Sequence, residues 1–147
     1  MARLKGGISM TLDELYHATT YRVFVPDAAP IDVRIGELCA RLDVVLATHA
    51  AHTWAFITAW NPGSRQIPAE ENEARQAELL GILRERGWRC FDGTGIPDRS
   101  DWHPETSVLV LGISKDEAVT LGRRFGQNAI VTGRRGEAAE LVYCRSV

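Results

Sequence analysis

The chain has few lysines and no long hydrophobic run, and both shortages exclude classes of function. Lys5 and Lys115 are its two lysines, and the formal net charge is −2 with 17 basic residues against 19 acidic ones. A general binder of nucleic acid or of acidic membranes usually carries a basic excess, so neither is expected. No apolar segment follows Met1 and no apolar run approaches the ~20 residues of a membrane span, so we expect neither secretion nor a membrane protein.

Cysteine is equally sparse. Cys39, Cys90 and Cys144 lie far apart, and no C-x-x-C occurs, so the sequence predicts neither a zinc knuckle nor a thioredoxin-like motif. Three reduced thiols fit a cytoplasmic protein. His49 and His52 form H-x-x-H, but a metal site needs a third or fourth ligand and none is evident. We therefore expect no metal and no cofactor.

The common catalytic motifs are absent as well. The sequence contains no G-x-x-x-x-G-K-[ST], no G-x-G-x-x-G after a strand, and no G-x-S-x-G. Nucleotide hydrolysis by a P-loop and serine-hydrolase chemistry are therefore not expected. Whether the chain is an enzyme stays open.

The hydrophobic pattern predicts one α+β domain. With 147 residues, 45% of them hydrophobic, the chain can bury a sizeable core, and we expect a flexible tail over residues 1–10 and a single domain over 11–147. Segments 54–60 and 107–113 are apolar on both faces, which is typical of interior strands. Residues 92–105, rich in Gly, Pro and Asp, are expected to be irregular.

Capping and turn signals predict the remaining elements. Helices are expected from residue 11, over 37–50, over 68–86 and from 114 to a stop at Gly126. Hairpins are expected at 20–25 with 31–35 and at 128–132 with 139–144. The interpretation is a mixed β-sheet with about four helices packed on it.

The segment 53–75 is the best candidate for a functional corner. An apolar strand leads through Asn61-Pro62-Gly63-Ser64 into a helix, and loops at such corners commonly place sites. On that helix, the buried stripe through Leu79 and Leu83 becomes polar towards the helix start, at Asn72, Arg75 and Gln76. Polar groups on a burying face need partners, so they form either a closed structural network or a ligand site.

Eight side chains are candidate ligand-binding residues. Arg75 is expected to meet an anion and the two asparagines of the corner to orient it. Glu71 and Glu105 could act as an acid–base pair, or be two solvated or salt-bridged acids. Arg123 is considered because arginine can reach a pocket from its own helix, and His103 as a weak general base or a surface histidine. The candidates are Asn61, Ser64, Glu71, Asn72, Arg75, Glu105, Arg123 and Gln127.

Four short motifs give the chain a family resemblance. AFITAWNP, EN-x-x-R, W-x-x-E-x-S and LGR-x-FGQNAI, in that order, resemble the bacterial domain of unknown function 3293. The resemblance implies a single domain over nearly the whole chain and brings no activity, cofactor or catalytic residue with it. The positions that follow the family's pattern are Asn61, Pro62, Glu71, Asn72, Arg75, Trp102, Glu105, Ser107, Gly122, Arg123, Gly126, Gln127 and Asn128.

Three hypotheses for function follow. The first is a small cytoplasmic domain that binds a small anionic or nucleotide-like ligand in a polar pocket at the corner. The second is an interaction or regulatory module, which predicts an exposed apolar patch and no deep pocket. The third, a nucleic-acid-binding accessory protein, requires the arginines of 122–124 and 133–135 to share a face with an exposed tryptophan. No oligomeric state is predicted.

Overall fold

The computed structural model describes residues 2–3, 9–99 and 103–145. The expected tail over residues 1–10 falls largely outside this range, and within it β1 (Ala2–Arg3) pairs with β2 (Ser9–Met10). Trp102, from the third family motif, also lies outside the described residues. The prediction of a tail followed by one domain therefore stays a prediction.

Four helices and seven further strands make up the described fold, and they confirm the α+β class. The helices are α1 (Leu12–His17), α2 (Ala40–Thr48), α3 (Ala69–Glu85) and α4 (Lys115–Arg124). The strands are β3 (Thr19–Val23), β4 (Ile31–Val33), β5 (Thr53–Ile57), β6 (Arg89–Pro97), β7 (Glu105–Leu111), β8 (Ala129–Arg134) and β9 (Glu140–Tyr143).

These seven strands form one sheet in the order β4-β3-β6-β7-β5-β8-β9. Strands β5 and β7 lie in its interior, as predicted. A mixed sheet was expected, but each ladder between described strands is antiparallel. The reason is that β7 lies between β5 and β6, and β5 lies between β7 and β8, so the strands joined by α3 and by α4 are never neighbours. A parallel bridge between Ile35 and Ala139 links the two edges and curls the sheet.

Strand β6 is longer than the sequence indicated, so the prediction of an irregular segment over 92–105 is wrong in its first part. The strand runs to Pro97 because β3 and β7 pair with it on both sides. Gly93 and Gly95 have low strand propensity, so the sequence carries no strand signal there, and tertiary pairing overrides that propensity. Gly93 is required where it stands: a Cβ there would lie 2.7 Å from Cε2 of Phe56.

Helices cover both faces of the sheet. On one face, Leu42 and Leu46 of α2 pack in a cluster with strand residues such as Phe56 and Leu109. On the opposite face, α3 and α4 pack against the alternate positions of the same strands. Among the described residues no helix is both long and apolar enough to cross a membrane.

Helix α4 confirms two local predictions. Ser114 and Glu117 form a reciprocal capping box at its start. Gly122 within a helix indicates close packing against a neighbour or a ligand, and a Cβ there would lie 2.5 Å from Sγ of Cys144. The glycine therefore allows α4 to approach the end of β9.

Candidate functional site

The corner after β5 is a turn with unusual backbone angles. Asn61 has φ 47° and ψ 63°, and Ser64 has φ 61°, so both are left-handed, a conformation that asparagine adopts more readily than most residues. The N–H of Gly63 donates to the carbonyl of Gly126 at 2.8 Å and ties the turn to the end of α4. Such backbone persists where the surroundings fix it, and here helix α3 does so.

Asn72 of α3 holds Asn61 through two hydrogen bonds. Oδ1 of Asn72 accepts from the N–H of Asn61 at 2.8 Å, and Nδ2 of Asn72 donates to Oδ1 of Asn61 at 2.9 Å. The N–H of Ile67 donates to the same Oδ1 at 3.2 Å. Two donors at Oδ1 fix the orientation of the Asn61 amide, so its Nδ2 is the atom that remains for the Glu105 carboxyl, with which Asn61 also bonds.

Arg75 bonds to the backbone of the corner. Its Nε donates to the carbonyl of Ala59 at 3.0 Å and its Nη2 donates to the carbonyl of Phe125. The guanidinium carbon lies 5.9 Å from the centre of the Phe125 ring. Arg75 thereby joins the strand end to the end of α4. The ion pairs of the described residues do not join it to Glu71, because its guanidinium turns to these carbonyls instead.

The corner network is therefore closed on its α3 side. Asn61, Asn72 and Arg75 converge as expected, and Gln76 adds a bond from the Ala59 N–H to its Oε1 at 2.9 Å. Asn72 is only 1% exposed. Two buried donors, Nε2 of Gln76 and Nε1 of Trp60, have no partner among the described residues. The other polar groups of this network bond to one another or to backbone groups of the corner.

A cavity of about 150 Å³ lies on the other side of the same corner. Helix α1 covers it, and its walls continue the apolar cluster of the α2 face, through Tyr21, Phe56 and Val131. Ser64, Gln66 and His103 are its exposed lining residues and mark its open side. The described lining residues are Leu12, Leu15, Tyr16, Thr19, Tyr21, Phe56, Thr58, Asn61, Ser64, Gln66, Gly95, Pro97, His103, Glu105, Ser107, Gln127, Ala129, Ile130 and Val131.

A row of three strand residues crosses the cavity floor. Tyr21 pairs with Gly95, and Gly95 pairs with Glu105, so all three face the same side of the sheet. Gly95 has no side chain between the phenol and the carboxyl. A Cβ at this position would meet nothing nearer than 3.9 Å, at Cγ2 of Thr19. The glycine keeps open the space above the row.

Glu105 is the carboxyl of this cavity. Burial raises its pKa to about 7, and the hydrogen bond with Asn61 opposes that rise only in part. The ion pairs formed by the described residues do not include Glu105. A carboxyl with such a pKa exchanges its proton near neutral pH and can act as an acceptor, an acid or a base.

Five polar side chains of the cavity use their donors on backbone carbonyls. Tyr21 donates to Tyr16 at 3.1 Å, Thr19 to Leu15 at 2.7 Å, Thr58 to Thr106 at 2.7 Å, Ser107 to Glu105 at 3.0 Å, and Gln127 to Trp60 at 3.0 Å. Gln127 also donates to Phe125 at 3.3 Å, and it is 6% exposed. What these five groups leave towards the cavity is lone pairs, so this part of the lining offers acceptors, whereas Ser64, Gln66 and His103 lie on the open side.

Tyr16 and Ser64 lie where α1 meets the turn. Burial raises the pKa of Tyr16 to about 12, and its hydrogen bond with the Ser64 hydroxyl opposes that rise. Oγ of Ser64 also accepts from Nδ2 of Asn128 at 3.0 Å. Helix α1 is held further by the Tyr143 hydroxyl, which donates to the Asp13 carboxylate at 2.9 Å. The cover of the cavity is thus fixed by side-chain bonds, and no residue of α1 is itself buried.

The eight candidate residues fall into two groups of four. Asn61, Ser64, Glu105 and Gln127 line the cavity. Asn72 and Arg75 belong to the network, Glu71 is exposed on the first turn of α3, and Nε of Arg123 donates to the carbonyl of Cys144 at 2.6 Å. Glu71 and Glu105 are thus not gathered in one cavity. His103, considered as a weak general base or a surface histidine, lines the cavity on its exposed side.

Sequence reasoning missed the apolar and floor residues of the cavity. Tyr16 falls in the predicted helix that begins at residue 11, and Tyr21 and Phe56 fall in predicted strands, so none of them was a candidate site residue. The signal for Gly95 was present in the alternation Gly93-x-Gly95-x-Pro97, which places small residues on one face of a strand. Because residues 92–105 were predicted to be irregular, the alternation could not be assigned to one face of a strand.

Comparison with known proteins identifies the family of the chain. The model of the family described as "Protein of unknown function (DUF3293)" matches residues 57–130, and the chain belongs to this family. The matched segment runs from the end of β5 to the start of β8 and contains the corner and Glu105. Neither the curated proteins nor the solved structures gave a match. Over the described ranges, no group of three or more His, Cys, Asp or Glu residues could hold a metal ion.

Proposed function

We propose that the chain is a small-molecule-binding domain and that its ligand occupies the cavity under α1, against Glu105. The observation that carries this proposal is a half-buried carboxyl that forms no ion pair with a described residue, on the floor of a mostly apolar cavity, beside a glycine that keeps the space open. Small-molecule sites have this composition, an apolar enclosure with a few convergent polar groups.

The size of the cavity limits its ligand. An engineered apolar cavity of about 150 Å³ in another protein binds benzene, whereas pockets for drug-sized ligands measure about 300–1,000 Å³. The cavity measures about 150 Å³. The proposal is therefore a ligand with one ring or a short chain. A nucleotide, with base, sugar and phosphate, is too large to be enclosed here.

An anionic ligand, the sequence-based hypothesis, is not what the described geometry favours. No arginine or lysine occurs among the described lining residues, and Arg75 bonds to two carbonyls on the other side of the corner. An anion beside Glu105 would also add a like charge. The corner therefore stays the proposed location, and the expected charge of the ligand changes.

The two alternative functions receive less support. An interaction module was expected to lack a deep pocket, and the large hydrophobic side chains described as exposed are Phe24, Leu38 and Val44. For nucleic-acid binding, Arg124 pairs with Glu78 at 3.4 Å and Arg134 pairs with Glu137 at 3.4 Å. None of the three described tryptophans is exposed.

The proposed setting is a bacterial cytoplasm. The described cysteines, Cys39, Cys90 and Cys144, are all free thiols, which suits a reducing compartment. The proposal assigns no reaction. A carboxyl that titrates near neutral pH makes acid–base chemistry available if the ligand is a substrate.

Binding of a neutral ring-sized probe tests the proposal independently of ligand charge. Benzyl alcohol is titrated into the ¹⁵N-labelled protein, and amide shifts are followed by NMR. We expect saturable shifts at Thr19, Gly95 and Ser107, on three adjacent strands. Gly95→Leu should abolish them by filling the space, whereas Gly95→Ala should retain them, because its single methyl group meets nothing nearer than 3.9 Å.

Both variants are first checked for a native spectrum. Gly95 lacks the positive φ that would strain a side chain. Saturable binding that survives Gly95→Leu, or no binding of the probe to the wild type, would contradict the proposed site.

A further inference from the structure

We infer that the ligand of this cavity is a small organic cation, an ammonium group on an apolar body of about one ring, with the ammonium against Glu105. The inference rests on the proposed function and adds the chemical class of the ligand. Three independent features of the cavity support it: the direction of its hydrogen bonds, its charge and its aromatic walls.

The hydrogen-bond lining calls for a ligand that donates. Tyr21, Thr58, Ser107 and Gln127 each donate to a backbone carbonyl, as described above. No described group donates to Oε1 of Gln127, which leaves that oxygen as an acceptor of a cavity-lining residue. An ammonium group has three N–H donors and no acceptor, so it matches such a lining, whereas a carboxylate or phosphate does not.

The charge of the cavity calls for a cation. Glu105 is half-buried, bonds with Asn61, and forms no ion pair with any described residue. An isolated buried carboxylate is costly, and an opposite charge within hydrogen-bond distance offsets that cost. His103 lines the cavity but forms no ion pair with Glu105, and it lies on the exposed side. A cationic ligand would provide the charge that the described chain does not.

The walls suit the rest of such a molecule. Tyr21 and Phe56 meet edge to face with ring centres 5.3 Å apart, and Tyr16 joins them from α1. Aromatic faces attract organic cations, and the aliphatic side chains Leu12 and Leu15 cover an apolar body. The same walls would bind a neutral ring, so the distinguishing element is the carboxyl.

Proton release accompanies binding of the cation. The ammonium selects the ionised form of Glu105, so a protonated carboxyl must pass its proton to water when the cation enters. The titratable groups facing Glu105 are Tyr16 from α1, Tyr21 from β3 and His103 from the loop before β7. Burial raises the pKa of both phenols, so they stay neutral throughout the range of the experiment.

Three probes of one size distinguish a cationic, a neutral and an anionic ligand: benzylamine, benzyl alcohol and benzoate. Their affinities are measured by calorimetry at pH 8, with NMR to confirm that each occupies the cavity. At pH 8 we expect benzylamine to bind about tenfold or more tightly than benzyl alcohol, and benzoate more weakly than either, because charge-assisted hydrogen bonds are the strong ones.

Glu105→Gln is the matched variant, since it keeps the shape and removes the charge. It should bring benzylamine to the affinity of benzyl alcohol and leave benzyl alcohol nearly unchanged. In wild type at pH 6, binding of benzylamine should release protons, seen as a dependence of the enthalpy on the buffer's ionisation enthalpy. Glu105→Gln should release none.

The outcomes keep the two proposals distinct. Equal affinity for benzylamine and benzyl alcohol, tighter binding of benzoate, or a preference for benzylamine that persists in Glu105→Gln would overturn the cation inference while leaving the cavity a binding site. No binding of any probe would overturn the proposed function itself.

Discussion

Two groups of buried and half-buried polar side chains meet at Asn61, and they differ in whether their charges and hydrogen-bonding groups have partners within the described chain. On the α3 side, Asn72 and Arg75 bond to the corner and hold it. On the cavity side, Glu105 bonds with Asn61 and forms no ion pair with a described residue. Oδ1 of Asn61 belongs to the first group, and its Nδ2 serves the second. A polar helix face can thus be a scaffold for a site that lies on the neighbouring sheet.

The two groups should respond to mutation with opposite sign. Removing a member of the closed network strands buried partners, which destabilises the fold. Removing the charge of a buried carboxyl without an ionic partner relieves a desolvation penalty, which stabilises the fold, as is common where function is kept at the expense of stability. Three substitutions test this contrast.

Arg75→Ala should have the largest effect, a loss of about 3 kcal/mol in the free energy of unfolding. The substitution strands the carbonyls of Ala59 and Phe125 and removes the stacking on the Phe125 ring. Chemical denaturation at pH 7 measures it. Arg84→Ala, on the exposed last turn of the same helix, is the control and should lose under about 1 kcal/mol. Equal losses in the two variants would show that Arg75 does not join the corner.

Glu105→Gln should stabilise the protein at pH 8, by roughly 3 kcal/mol. The pKa of Glu105 is raised from 4.5 to about 7, and each pH unit between those values corresponds to about 1.4 kcal/mol. In that window the native state keeps a proton that the unfolded state has lost, so wild-type stability falls as pH rises from 4.5 to 7. The advantage of the variant should therefore shrink towards pH 4.5.

The control for that change is Glu73→Gln, an exposed acid on α3. Its effect should be under about 0.5 kcal/mol at both pH values. A Glu105→Gln variant that is less stable than wild type at pH 8 would show that the carboxyl belongs to the closed network and that the two groups respond to mutation with the same sign.

Asn72→Ala should have the smallest of the three effects, a loss of about 2 kcal/mol. It removes the bonds to the backbone and side chain of Asn61, which has a left-handed backbone conformation. Because Asn72 also orients the Asn61 amide towards Glu105, the variant should shift the Glu105 titration upwards, and Arg75→Ala should not. Thermal melts and an NMR titration measure the two effects, and a melt unchanged by Asn72→Ala would contradict the network.

Much of the fold could be predicted from local signals. The two interior strands followed from segments that are apolar on both faces, and the start of α4 followed from its capping box. The length of β6 could not be predicted, because Gly93 and Gly95 look like loop residues until β3 and β7 pair with them. The antiparallel order also depends on strand insertion, which leaves no signal in a single sequence.

The location of the candidate site was predicted better than its composition. Asn61, Ser64, Glu105 and Gln127 do line one cavity, since the turn, β7 and the end of α4 meet there. The hydrogen-bond partners of Arg75 were not predictable. Helical spacing places the residue on the buried face, but it does not indicate whether the guanidinium bonds to a backbone carbonyl or to a ligand. The cavity itself depends on contacts between α1, β3 and β6 that are far apart in the sequence.

The most direct test of the proposed site is the titration of the Glu105 carboxyl carbon, followed by NMR in the ¹³C-labelled wild type. We expect a midpoint near pH 7, which moves to lower pH when benzylamine is added, because the cation favours the ionised form. A midpoint near the ordinary 4.5, unaffected by benzylamine, would contradict the proposal that Glu105 is a desolvated carboxyl that binds a cationic ligand.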